Sequence, residues 1–109
     1  MKNIRLIIDN SRKAKQPYFV KKELQTILNL YAKMVSNGSW KDYGLKISSK
    51  QVAFSVFKNS SESAVYNICK NFKPIDKNLK YSITDTKGRI LKNSYLLESL
   101  LTNTNWKKL

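Results

Sequence analysis

Enzymatic chemistry needs acids, bases, nucleophiles or metal ligands brought close together, and this chain is poor in all of them. Its 109 residues contain no histidine and one cysteine, Cys69. Without histidine the commonest general base and metal ligand is missing. A single cysteine forms neither an internal disulfide nor a cysteine-based zinc site. The candidates for acid, base or nucleophile work are Asp42, Glu62, Cys69 and the tyrosines, and no two carboxylates are close in sequence. An active site would need a pocket that strongly shifts the pKa of one of them. The expectation is a protein that is not an enzyme and holds no cofactor or metal. Cys69, with lysines nearby, is expected to be a small buried filler rather than a catalytic thiolate.

The residue type in surplus is lysine. Twenty-one basic residues stand against seven acidic ones, a formal charge of +14. Such an excess attracts polyanions and destabilises the compact state by self-repulsion unless a partner or counter-ions screen it. Nucleic acid is the first partner this suggests, RNA or the ribosome ahead of DNA. Compositional drift toward Lys, Asn, Ile and Ser would explain Lys over Arg, but it accounts less well for so few acids. The candidate phosphate-neutralising residues are Arg12, Lys13 and Lys15 in an N-terminal arm, Lys21 and Lys22 at a helix start, and Lys70, Lys73, Lys77 and Lys80 along a loop, where Phe72 would stack on a base. The alternative is an interaction or assembly module that docks an acidic protein, with Phe57, Val65 and Leu91 as its apolar hot spot.

These residues have to be positioned by one small domain, since 109 residues fit a single hydrophobic core. Residues 1–18 form a basic lead-in arm with a short strand from Asn3 to Ile8, 19–102 a single α+β domain, and 103–109 a basic tail containing Trp106. No apolar run approaches the roughly 20 residues of a membrane span. The block Leu6-Ile7-Ile8 is too short for a signal peptide and is interrupted by Asp9, so a cytoplasmic location is expected.

The stretch Gln51–Lys58 has the densest β-branched and aromatic content and alternates with a period of two, which predicts a central strand. Before it, Leu24, Ile27, Leu28, Tyr31, Met34 and Val35 recur every three or four residues and predict an amphipathic helix from Lys21 to Asn37, stopped by Asn37-Gly38. Trp40 is expected to close one end of the core, with a stacking platform for a base as its other role. Tyr43–Ile47, Ala64–Cys69 and Leu79–Thr84 alternate as further strands, and Asp85-Thr86-Lys87-Gly88 turns the chain back into Arg89–Lys92. Asn93-Ser94 is placed to cap a second helix, Tyr95–Leu101, with Leu96, Leu97, Leu100 and Leu101 inward. The fold class is α+β: an antiparallel meander of four to five strands packed against a long N-terminal helix and a short C-terminal helix, both on one face.

Several of these segments, taken together, resemble a family of small alphaproteobacterial domains of unknown function. The resemblance runs from Phe19 to about Leu101 and rests on Leu24–Val35, Trp40-Lys-Asp-Tyr43, Ala53-Phe-Ser-Val-Phe57, Ser61-Glu62, Tyr66, Ile68, Lys70 and Gly88-Arg-Ile-Leu-Lys92. It implies a bacterial cytoplasmic origin and a compact α+β fold, and it carries no activity. In such proteins an Asp commonly caps the first helix, where this chain has Val20, and a Gly-His pair opens the last one, where it has Ser94-Tyr95. The order helix, strands, helix is also shared with double-stranded-RNA-binding domains, but only as a layout.

Overall fold

The computed structural model describes residues 4–7, 18–58 and 63–107. Arg12, Lys13, Lys15 and Glu62 lie outside the described residues. One six-stranded sheet organises the rest, with strands β1 (Ile4–Ile7), β2 (Asp42–Ile47), β3 (Gln51–Phe57), β4 (Tyr66–Asn71), β5 (Tyr81–Asp85) and β6 (Ile90–Ser94) in chain order across it. β2 to β6 form the expected antiparallel meander. β1 instead lies parallel to β2 at the sheet edge, so the chain between them must cross over, and the helix α1 (Lys21–Ser36) lies in that connection.

Hydrophobic periodicity decides how α1 docks. Ile27, Tyr31 and Met34 are buried on its inner stripe, while Val35, at the margin of that stripe, stays exposed. The helix opens on extended Val20, whose N–H donates to Glu23 Oε1 at 2.8 Å. Valine has no side-chain acceptor to return, so only the reverse half of a capping box is present. At the other end Gly38 takes φ +83°, while the N–H groups of Gly38 and Ser39 donate to Val35 O and Met34 O. That left-handed position favours glycine and stops the helix as the Asn-Gly pair predicts. The second helix, α2 (Leu97–Thr102), starts later than expected: Leu96 precedes it in an extended conformation and faces solvent, while Leu97, Leu100 and Leu101 are buried.

The register gives the sheet two unlike faces, because residues paired across antiparallel strands share a side. One face carries three cross-strand rows: Tyr43–Val56–Tyr66, Leu45–Phe54–Ile68–Ile83, and Ile47–Val52–Lys70–Tyr81. This is the face of the core, shared with Ile27, Tyr31 and Met34 of α1 and with the leucines of α2. At its centre Tyr43 stacks on Phe54 with ring centroids 4.5 Å apart, and Tyr31 meets both edge-on. Offset-stacked and edge-to-face pairs of this kind add to the burial term. The other face is polar. Ser55 donates to Asn67 Oδ1 at 2.6 Å and Asn67 donates on to Thr84 at 3.2 Å, beside a second row of Lys46, Ala53, Cys69 and Ser82.

Of the three apolar residues expected on that second face, Leu91 lies elsewhere. A register shift between Ile83 and Thr84 makes Leu91 an extra residue in β6, and a bulge re-aims the side chain, so that Leu91 packs against the core. Val65 falls before β4 and is held by its N–H to Val56 O at 2.8 Å. Phe57 lies on the second face, opposite Asp42.

Candidate nucleic-acid interface

Three segments meet at one end of the sheet: the β2–β3 turn, the loop 72–80 and the first turn of α1. The Phe72 N–H donates to Lys50 O at 3.0 Å, tying loop to turn. Within the loop Asp76 caps a 3-10 turn, Lys77–Leu79, through its side chain, and the Asn71 and Asn93 amides hold the carbonyls of Leu79 and Asn78. A loop pinned at both ends in this way presents its side chains from a defined scaffold. Lys73, Lys77 and Lys80 are exposed on it, Lys50 on the neighbouring turn, and Lys21 and Lys22 on the first helical turn. Phe72 is half-buried, while Ile75 at the tip is fully exposed.

Lys70 is the exception among the described residues assigned from the sequence to phosphate contacts. It is 8% exposed and points to the covered face, where its Nζ donates to Glu23 Oε1 at 2.8 Å and to Tyr18 O at 3.0 Å. The cause is strand parity: Lys70 shares a side with Tyr66 and Ile68, both on the core face. The Tyr81 hydroxyl donates to Glu23 Oε2, which completes a buried network under the first turn of α1. Burial alone would raise the Glu23 pKa, but hydrogen bonds from Lys70, Tyr81 and the Val20 N–H more than offset it, so the carboxyl is held below its ordinary value. Burial and the bond to Glu23 push the Tyr81 phenol upward. Lys70 is therefore a structural cation that anchors α1 to β4.

This inward turn of Glu23 also shapes the field outside. Among the described residues the ion pairs are Lys70–Glu23 and Arg89–Asp85, and neither neutralises Lys21, Lys22, Lys50, Lys73, Lys77 or Lys80. Lys77 and Lys80 lie instead over the rings of Tyr95 and Tyr81, at 5.5 and 5.4 Å from the centroids. A group of uncompensated ammonium ions can follow the spaced charges of a phosphate backbone. The basic surplus is not confined there: Lys41, Lys58 and Lys107 lie at the opposite end of the sheet, around Trp40 and Trp106.

For acid–base or nucleophilic work the described residues offer little geometry. Asp42 Oδ1 accepts from the Tyr43 N–H, and Cys69 is 2% exposed with its thiol pKa pushed up by burial. No group of three or more His, Cys, Asp or Glu that could hold a metal ion occurs among the described residues. No helix among them is long and apolar enough to cross a membrane.

Sequence reasoning passed over Lys50 and Ile75. The closeness of Lys50 to Phe72 depends on β3–β4 pairing, which local spacing does not reveal. Fold and surface together define a small basic α+β domain with a sheet covered by helices on one side. The chain belongs to the family described as protein of unknown function (DUF2794), whose model matches residues 18–101. No curated protein and no solved structure matches it.

Proposed function

We propose that the protein is a non-enzymatic nucleic-acid binder that takes RNA, free or on the ribosome, in the bacterial cytoplasm. The observation that carries this is the group of exposed lysines at one end of the sheet, Lys21, Lys22, Lys50, Lys73, Lys77 and Lys80, with no carboxylate of the described residues paired to any of them. Phosphates entering this group displace condensed counterions, and the entropy of their release favours binding. The loop is held by side-chain and backbone hydrogen bonds, so little ordering opposes association. Half-buried Phe72 and exposed Ile75 add apolar contact beside the charges. Arg12, Lys13 and Lys15 extend the same basic character along the chain. The alphaproteobacterial origin and the cytoplasmic location rest on the sequence resemblance.

The test is copurification from the native cell with and without nuclease. Release of the protein from its partner by RNase supports the proposal. A protein partner retained after nuclease treatment supports docking to an acidic protein instead.

A further inference from the structure

A cavity of about 550 Å³ opens at the end of the sheet away from the loop 72–80. Its aromatic walls are Trp40, Tyr66 and Trp106, and Lys41, Lys58 and Lys107 stand around it. Trp40 is buried as the floor. Trp106 meets it edge-on with centroids 5.2 Å apart and meets Tyr66 at 5.7 Å, so two half-buried rings remain beside the opening. The three lysines are exposed, and no carboxylate of the described residues pairs with them. Trp106 Nε1 is sealed from solvent and has no hydrogen-bond partner among the described residues. Buried donors are almost always paired, so this one is an exception within the packing of the three rings.

Aromatic surface and uncompensated cations in one concavity ask for a ligand with a flat π-system and negative charge. We infer that this cavity takes a single unstacked nucleotide, its base against Trp106 and Tyr66 and its phosphate among Lys41, Lys58 and Lys107. This rests on the RNA reading above and narrows it to single-stranded RNA, since a base inside a duplex has no free face to offer. The two basic ends are then separate parts of one surface, roughly 20 Å apart along strands of six residues.

The chain has two tryptophans and both wall this cavity, so its intrinsic fluorescence reports on the site. Titration of the full chain with AMP should quench that fluorescence to saturation. Ribose 5-phosphate, which lacks the base, should bind at least about tenfold more weakly by competition. The double substitution Lys58→Ala/Lys107→Ala, on exposed side chains, should weaken AMP about tenfold, while Lys73→Glu/Lys77→Glu should leave AMP binding unchanged. Trp106→Phe leaves a smaller ring for the base to stack on and should also weaken AMP. Equal competition by ribose 5-phosphate and AMP would reduce the cavity to an anion site and overturn the inference, as would absence of saturable quenching. Parallel anisotropy with oligouridylate separates the two ideas. Salt-dependent RNA binding without AMP quenching sinks the cavity proposal alone, and AMP quenching without RNA binding sinks the RNA reading alone.

Discussion

The two ends of the sheet are both basic, but they hold their cations differently. At the loop end the lysines stand above a buried network in which Glu23 is turned inward onto Lys70 and Tyr81. At the tryptophan end the lysines surround half-buried rings with no ion pair beneath them among the described residues. The contrast separates two kinds of recognition. Charge on a pinned loop attracts any polyanion with matching spacing. Charge around an aromatic cavity adds a preference for what stacks there.

Substitutions at the two ends should therefore fail in different ways. The largest effect is expected from Glu23→Ala, which leaves the Lys70 ammonium buried without its carboxylate. Loss of such a partner costs on the order of 3 kcal/mol, visible as a lowered midpoint in thermal or urea unfolding. An unchanged midpoint would show that water reaches Lys70 and that the network does not anchor α1. Next comes RNA affinity. Lys73→Glu/Lys77→Glu should flatten the log–log salt dependence by about 1.4 for a single strand if each lysine meets one phosphate, whereas Lys70→Met should lower stability without changing the slope per bound molecule. A shallower slope for Lys70→Met would undo the distinction between structural and binding lysines.

A third expectation concerns pH. The Glu23 pKa is lower in the folded state than its ordinary value of roughly 4.3. Its contribution to stability is fully present above that value and is lost as pH falls through the folded-state pKa. Glu23→Gln should therefore give a flatter stability profile below about pH 4.3. The smallest effect lies away from both ends. Cys69 is buried with a raised thiol pKa, so a thiol reagent should modify it in urea and barely at all in the native state.

The sequence showed most of the architecture where local physics decides it. Leu24 to Met34 wrote the face of α1 in their spacing, Asn37-Gly38 wrote its stop, and Asp85–Gly88 wrote the last hairpin, with Gly88 at φ +84°. What it did not show depends on partners distant in the chain. The parallel placement of β1 beside β2 needs a pairing across α1. The bulge that turns Leu91 inward leaves no mark on the alternation of β6. Lys70 is instructive because the signal was present: it alternates in phase with Tyr66 and Ile68, and charge outweighed parity in assigning it to the surface. Trp106, in a tail without periodicity, gave no local sign that it would pack on Trp40 and Tyr66.

The most direct test is the salt dependence of oligouridylate binding by the full chain, followed by fluorescence anisotropy between roughly 50 and 200 mM salt. Contact between the six lysines of the loop end and six phosphates predicts a log–log slope of about −4, so that affinity falls by a few hundredfold over that range. A slope near zero, or no binding at the lowest salt, would contradict it.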